Sequence, residues 1–246
     1  MIAADRILLS TNIFPAIDDR LISGGVAIKG NKIIAIGNKA DILFYQDEDT
    51  IVEDFGNQLI IPGLCDSHVH FLMGCLYSCE VDLSIAKSEE EAARLVKEFH
   101  DHRQDKESNE WVIGFSWYNY WWENKSFPTK HSLDKYFPDQ PVFLLNADGH
   151  AGWVNSKALS IAGIDKNTPD PDYGEIFRFD DGEPTGFLSE MAMSFCIKYA
   201  FDFSETRERD LIKNALSEFN SYGLTSVNDM QNFFAKDLGN HNIYKM

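Results

Sequence analysis

The first sixty residues alternate short apolar runs with turn-forming residues. Apolar runs lie at residues 7–9, 24–28 and 33–37, and the last two are separated by a four-residue polar turn that contains Gly30 and Asn31. Both of these residues tolerate the positive φ that tight turns require. The pattern therefore predicts a small antiparallel β module with a hairpin at Gly30.

Later segments alternate strand patterns with helix patterns. Ser88 and Glu91 form a capping box before a run with helical apolar spacing. Residues 141–146 form an apolar run that predicts a buried strand, and residues 205–222 and 224–229 predict a helix followed by another strand. Strands that alternate with helices predict an α/β fold with a parallel sheet, in which functional sites lie at the carboxyl ends of the strands.

Residues 104–190 show no sustained period and contain all five tryptophans of the chain and most of its prolines. We interpret this stretch as a long, irregular, aromatic-rich insertion. Trp117 is a candidate for lining a hydrophobic substrate pocket. The alternative is that the aromatic side chains of this region form its core.

Composition narrows the class of protein. The chain has 246 residues, 44% of them hydrophobic and 25% charged, which is typical of a folded globular protein. Its formal net charge of -17 argues against nucleic acid and anionic membranes as partners. The chain has neither a secretory signal pattern nor an apolar run near the ~20 residues that span a bilayer, so we expect a cytoplasmic protein with reduced cysteines.

The strongest chemical signal is the sequence His68-Val69-His70. Side chains two apart in a strand project to the same side, close enough to share one metal ion, and Asp66 lies on the same face. Neutral imidazole is a common ligand of zinc and similar metals, and a nearby carboxylate can orient a ring nitrogen. The pair ends an apolar strand that follows Pro62 and Gly63, which strengthens the hypothesis of a metal site.

Residues 61–70 resemble the first barrel strand of the amidohydrolase superfamily, in which Pro-Gly-(Leu/Phe)-x-Asp-x-His-x-His supplies two metal ligands. The resemblance extends over about residues 5–230. Further segments narrow it to amidohydrolase family 3, the branch that includes enzymes similar to N-substituted formamide deformylase. These segments are Trp111–Gly114, Pro128-Thr129, Leu133-Asp134, Pro141-Val142, Asp148–His150, Trp153–Leu159 and Gly223–Val227.

The resemblance implies an α/β fold, namely a (β/α)8 barrel with a small β-sandwich built from both chain ends. Residues 1–60 would be the N-terminal part of the sandwich, and residues 61–246 the N-terminal part of the barrel with its insertion at about 104–190. Members of the family continue for roughly as many residues again. We therefore expect later strands and ligands to lie outside this chain, with a homo-oligomer or a complementing C-terminal half as partner.

The resemblance also implies roles for individual residues. His68 and His70 would be metal ligands, and Glu190, in a segment similar to the family's Gly-x-Leu-x-Glu, would supply a carboxylate. His150 would act catalytically and face the substrate, with Asp148 orienting it or contacting the substrate. The alternatives are that Glu190 is an ordinary residue at a helix N-terminus and that His150 is structural.

The implied function is metal-dependent hydrolysis of a non-peptide C–N bond in a small-molecule amide, with one or two divalent ions, zinc by the ligand type. A non-catalytic fragment, either a pseudoenzyme or an interaction module, is the competing interpretation. A non-hydrolytic isomerase or lyase on the same barrel is a third, because a fold does not fix a reaction.

Overall fold

The computed structural model describes residues 2–103 and 110–230. Within these, the chain divides into two compact units. The first contains residues 2–65 and 223–226, and the second contains residues 66–103, 110–222 and 227–230. None of the helices in the described ranges is long and apolar enough to span a membrane.

The first unit is a five-stranded sheet with one short helix. Its strands follow the order β3-β2-β1-β4, and β5 pairs with the C-terminal end of β1. The predicted hairpin between β2 and β3 is confirmed, with Gly30 at a φ of +58°. The prediction of an antiparallel module was incomplete, because β4 and β5 run parallel to β1. The elements are β1 Arg6–Ile13, β2 Ile22–Lys29, β3 Lys32–Gly37, α1 Lys39–Leu43, β4 Ile51–Asp54 and β5 Leu59–Ile60.

Helix α1 covers one face of this sheet. Asn38 caps it by accepting a hydrogen bond from the backbone amide of Asp41. Ile42 of the helix is buried against Ile7 and Leu9 of β1. These contacts form the small apolar core of the first unit.

The second unit is built on a six-stranded sheet with the order β11-β12-β10-β9-β8-β7. Strands β7, β8 and β9 are parallel, whereas β10, β11 and β12 are antiparallel to their neighbours. The remaining strands of the described residues, β6 and β13, form a separate two-stranded sheet, and each begins in the first unit and ends in the second. The strands are β6 Leu64–Val69, β7 Val81–Asp82, β8 Val112–Trp117, β9 Val142–Asn146, β10 Ala151–Val154, β11 Gly174–Arg178, β12 Pro184–Glu190 and β13 Leu224–Asp229.

The described part of residues 104–190 is more regular than predicted, because it contains β8, β10, β11 and β12 in addition to β9, which confirms the strand predicted at 141–146. Its prolines do not interrupt these strands. Pro141 precedes β9, and Pro184 is the first residue of β12. A proline at a strand start removes no amide from the interior of the ladder. Within the six-stranded sheet, the prediction of parallel strands holds for β7, β8 and β9 only. Strands β6 and β13 also run parallel, because the amide of Leu64 donates to the carbonyl of Gly223 and the amide of Met230 donates to the carbonyl of Val69.

The described part of the second unit also contains six helices. Successive residues of a buried strand belong alternately to two apolar clusters, one on each face of the six-stranded sheet. Phe143 and Leu145 of β9 belong to one apolar cluster, and Val142 and Leu144 belong to another. This alternation is the two-residue period of a strand buried on both faces. The helices are α2 Phe71–Cys79, α3 Glu89–His102, α4 Lys130–Asp134, α5 Ser156–Ala162, α6 Ser194–Ala200 and α7 Glu205–Ser221.

The helix boundaries follow local signals. Ser88 caps α3 by accepting a hydrogen bond from the amide of Glu91, as predicted, and the Glu91 carboxylate accepts from the amide of Lys87. Helix α7 ends before Gly223, which has a φ of +81°. That left-handed conformation favours glycine and explains why the helix stops there.

A buried carboxylate joins three helices of the second unit. Glu80, whose side chain is 2% exposed, lies directly after α2. It accepts hydrogen bonds from Arg103 after α3, at 3.2 Å, and from Arg207 in α7, at 2.6 Å. Glu110 pairs with the same two arginines. Opposite charges therefore compensate one another where these helix ends meet.

Candidate functional site

Several strand ends that carry polar residues lie together along one edge of the six-stranded sheet. The ends of β8 and β9 meet there, because Trp117 pairs with Asn146. The start of β10 and the end of β12 meet beside them through the pairing of Ala151 with Ser189. Glu190, which follows Ser189, pairs with Gly174 at the start of β11. Carboxyl ends of parallel strands are the usual position of sites in α/β proteins.

The turn between β9 and β10 places His150 at this edge. Asn146, which is buried, accepts a hydrogen bond from the amide of Ala151 at 2.8 Å and donates one to Asp148 Oδ1 at 2.5 Å. Asp148 Oδ1 also accepts from the backbone amide of His150 at 3.0 Å. Asp148 thus fixes the backbone of His150, and the imidazole itself is exposed.

His150 and Glu190 form a close pair. The Nδ1 of His150 lies 2.9 Å from Oε1 of Glu190. Hydrogen bonding to Glu190, together with the negative charge of Glu190 and a smaller contribution from Asp148, raises the pKa of His150 above its ordinary value. The pair therefore favours the protonated imidazole.

Glu190 lies at the end of β12, directly before a single 3₁₀ turn over Met191–Met193. Its φ of +48° is unusual for a residue with a side chain. Strained backbone of this kind is found preferentially at functional sites. The structure thus brings two sequence-predicted residues, Glu190 and His150, into contact.

His68 and His70 lie at the end of β6 and directly after it, immediately before α2. Their ring centroids are 5.9 Å apart, with the rings edge to face. His68 is exposed and His70 is half-buried. Asp66 Oδ1 accepts a hydrogen bond from the amide of His68 at 3.0 Å, and Asp229 Oδ1 accepts one from the amide of Phe71 at 3.1 Å. Two carboxylates therefore hold the backbone around the histidine pair.

The histidine pair fits a divalent metal in the chemistry of its donors. Two imidazoles on neighbouring positions of one strand end suit zinc and similar ions. Over residues 2–103 and 110–230, however, no group of three or more His, Cys, Asp or Glu side chains is arranged to hold an ion. The described residues thus offer two nitrogen donors and no complete coordination shell.

Trp117 lies in the core. Its side chain is 0% exposed and packs against Trp122, Trp153 and Phe187. Its indole N–H donates to the carbonyl of Leu144 at 2.9 Å. This placement does not suit a residue that lines a substrate pocket and favours the alternative that the aromatic side chains form the core.

Two exposed aromatic residues that follow β8 at this edge are Tyr120 and Trp121, which the sequence analysis did not single out. They follow β8 within a 3₁₀ turn over Asn119–Trp121 and are 58% and 50% exposed. The sequence offers five aromatic residues between positions 117 and 122. Without the geometry of the chain after β8, nothing in that run distinguishes buried members from exposed ones.

Comparison with known proteins identifies the family. A model of the amidohydrolase family matches residues 52–243. The chain is 27% identical to N-substituted formamide deformylase of Arthrobacter pascens, over 92% of this chain and 42% of that protein. It is 30% identical to the protein LONG AFTER FAR-RED 3 of Arabidopsis thaliana, over 95% of this chain and 39% of that protein.

The fold is also found in a solved structure. The crystal structure of an uncharacterized metal-dependent hydrolase from Pyrococcus furiosus matches with a TM-score of 0.70 and 23% identity, over 92% of this chain and 44% of that one. The chain thus spans less than half the length of each of these relatives. Since the family match covers most of its residues, the chain belongs to the amidohydrolase family.

Proposed function

We propose that this chain forms part of a metal-dependent hydrolase that cleaves a non-peptide C–N bond in a small-molecule amide. The observation that carries the proposal is the position of His68 and His70, whose rings lie 5.9 Å apart at the end of β6 in a chain of the amidohydrolase family. The name of the Arthrobacter pascens relative supports an amide, specifically an N-substituted formamide, as the substrate class.

His68 and His70 would hold one or two divalent ions, with zinc favoured by the nitrogen donors. The bound ion would polarise the substrate carbonyl and lower the pKa of a water molecule. Glu190 is the proposed carboxylate ligand. The described residues do not bring Glu190 together with His68 and His70 as a group of three donors, so we propose that ligands from outside the described ranges complete the site.

His150 would act at the substrate. Its ring lies beside Glu190, with Nδ1 2.9 Å from Oε1, and a ring N–H would donate a hydrogen bond to the carbonyl oxygen of the amide as negative charge develops there. Asp148 would keep His150 in place through the backbone amide of that residue. Trp117 has no part in this proposal, because its side chain and its N–H are occupied in the core.

We further propose that residues 1–60 are part of a small β-sandwich and residues 61–246 part of a (β/α)8 barrel. Supporting this, most residues of β6 and β13 are exposed in the described part of the chain. Parallel barrel strands are ordinarily buried on both faces. A complementing C-terminal half or a second copy of the chain would cover them.

The proposal is tested by elemental analysis and amide hydrolysis on two proteins, the chain itself and the longest natural reading frame that contains it. We expect the longer protein to bind zinc and to hydrolyse an N-substituted formamide. The double variant His68→Ala/His70→Ala should lose both properties. His131→Ala, which removes an exposed histidine stacked on Phe179, is the matched control and should keep them. Full activity in the double variant would refute the proposal.

A non-catalytic interaction module is a second candidate function, favoured by the lack of a three-donor group in the described ranges. It predicts that the longer protein also contains no stoichiometric metal. It further predicts that the double histidine variant behaves like the unaltered protein in every assay. Metal analysis therefore separates the two candidates.

A further inference from the structure

The backbone at Glu190 has a conformation that a residue with a side chain rarely adopts. Its φ is +48° and its ψ is -124°. These angles match the first central position of a type II′ turn, where glycine dominates because it has no Cβ to clash with the backbone. Strand β12 ends at Glu190, and the chain continues at once into the 3₁₀ turn Met191–Met193. The strained residue therefore lies at an abrupt change from a strand to a helical turn.

The strain at Glu190 is not offset by burial of its side chain. Strained backbone costs stability and persists only where the surrounding structure imposes it. The Glu190 side chain is 54% exposed, and its Oε1 lies 2.9 Å from Nδ1 of His150. The conformation thus directs a carboxylate to the site edge at a cost in stability.

The start of β11 lies directly against the strained turn. Gly174 pairs with Glu190 in the ladder between β11 and β12. The carbonyl of Tyr173, whose own φ is +59°, accepts a hydrogen bond from the amide of Met191 at 3.2 Å. The backbone of Tyr173 and Gly174 therefore contacts both the strained residue and the residue that follows it.

Gly174 leaves no room for a side chain at this contact. A Cβ there would lie 2.6 Å from the amide nitrogen of Ala192 and 2.8 Å from the amide nitrogen of Met191. It would also lie 2.8 Å from the carbonyl oxygen of Ser189. All three atoms belong to the backbone, so rotation of a side chain would not relieve the clash. Since the φ of Gly174 is not in the left-handed region, the close approach of the turn is what requires glycine here.

We propose that Gly174 is a positioning residue for Glu190. Because Gly174 has no side chain, the strained turn packs directly on the start of β11, and this contact fixes the Glu190 carboxylate beside His150. The assignment rests on the proposed function, in which Glu190 and His150 act at the metal and the substrate. It adds the residue that sets the geometry of this pair.

The first experiment follows the nitrogen NMR signal of His150 Nδ1 in the chain, since this signal changes when the contact with Glu190 is lost. Glu190→Ala gives the signal of the ring without that contact. We expect Gly174→Ala to shift the signal most of the way to this reference, because the added Cβ displaces the turn.

Gly114→Ala is the matched control for the NMR experiment. A Cβ at Gly114, in β8 of the same sheet, would lie 2.7 Å from a side-chain atom of Val81 and 2.9 Å from one of Leu144. This variant should therefore also lose stability, but without displacing the turn at Glu190. We expect the His150 signal to stay at its native position.

A second experiment measures the strain itself by urea denaturation. Glu190→Gly and Glu190→Ala both remove the carboxylate, but only glycine relieves the backbone. We expect the folding equilibrium constant to be about tenfold larger for the glycine variant. The order should reverse at Glu175, an exposed position of β11, because glycine in an ordinary strand is less stable than alanine.

A double variant keeps the proposal testable if Gly174→Ala is too unstable for NMR. In a Glu190→Gly background the relaxed turn can move away from the new methyl group. The stability lost on Gly174→Ala should therefore be smaller in that background than in the unaltered chain, which a double-mutant cycle measures. An equal loss in both backgrounds would overturn the positioning role.

Three other outcomes would also overturn it. They are an unshifted His150 signal in Gly174→Ala, the same shift in Gly114→Ala, and equal stability of Glu190→Ala and Glu190→Gly. Failure of the proposed function is seen separately in the longer natural protein. A shifted signal in Gly174→Ala together with full amide hydrolysis in Glu190→Ala supports the positioning role and counts against the function. Hydrolysis that is lost in Glu190→Ala but unchanged in Gly174→Ala does the reverse.

Discussion

The His150 imidazole and the Glu190 carboxylate are joined twice. Nδ1 of His150 lies 2.9 Å from Oε1 of Glu190, and the backbone amide of Glu190 donates to the carbonyl of His150 at 2.9 Å. The two residues are 40 positions apart in the chain, and each belongs to a different strand end. The pairing of β10 with β12 therefore brings a histidine and a carboxylate together at the site edge.

The pair predicts a pH-dependent change that NMR can measure on the metal-free chain. Replacing Glu190 by Gln removes the negative charge, so the pKa of His150 should fall toward its ordinary value. Asp148→Asn should lower it less, because Asp148 contributes least. Glu175→Gln, at an exposed position of β11, is the control and should leave the His150 titration unaltered.

The raised pKa of His150 also determines how its contact with Glu190 contributes to the stability of the folded chain as pH changes. Because the folded-state pKa of His150 is raised, its contribution is fully present below the unfolded-state pKa and is lost as pH rises through the folded value. Since both side chains are exposed, solvent screening keeps this contribution small. A His150 pKa that is the same in Glu190→Gln and in the unaltered chain would contradict the assignment of the contact.

Loss of the buried carboxylate Glu80 should destabilise the second unit. Glu80→Gln removes the charge of the more buried of the two carboxylates that pair with Arg103 and Arg207, and breaking such a buried arrangement costs about 3 kcal/mol. Glu110 still pairs with both arginines, which keeps the loss at the lower end of the range. Urea denaturation measures the change in the free energy of unfolding.

The matched control for Glu80 is an exposed ion pair. Glu98→Gln removes one of the two carboxylates that pair with Arg94 on the surface of α3, the one four residues further along the helix. Such pairs contribute about 0.5 kcal/mol or less. A similar loss in both variants would show that burial of Glu80 has no special importance.

Gly186 should not tolerate a side chain. Its φ is +96°, and a Cβ there would lie 2.3 Å from the carbonyl oxygen of Val154. Gly186→Ala should therefore cost more than the about 1–2 kcal/mol of a left-handed residue alone. Gly163→Ala is the control, since φ is +70° there with open space around the new methyl group. Thermal denaturation should show the larger loss at Gly186.

The cysteines should differ in reactivity toward iodoacetamide. Burial raises the pKa of the Cys75 and Cys196 thiols to about 12, so at pH 8 almost none of either is present as the reactive thiolate. Cys65 is exposed and should be alkylated first. Mass spectrometry of the native and the urea-unfolded chain measures this order. Labelling of Cys196 in the native chain at the rate of Cys65 would contradict the burial seen here.

The sequence by itself determined the local elements and the family. Ser88 with Glu91, Gly30 with Asn31, and Gly223 each act on the few residues around them, so the capped helix, the hairpin and the helix stop are confirmed. The spacing of His68 and His70 predicted two imidazoles close together for the same reason, because a strand repeats every two residues.

Only the tertiary structure decided how distant segments meet. The contact of His150 with Glu190, the burial of Trp117 and the exposure of Trp121 all depend on strand pairing and on the bulge at Ser116. Neighbouring aromatic residues carry the same local signal whether they face the core or solvent. Which of these residues is buried and which is exposed depends on the strand that lies alongside. A pairing between residues far apart in the chain leaves no periodic pattern in either segment.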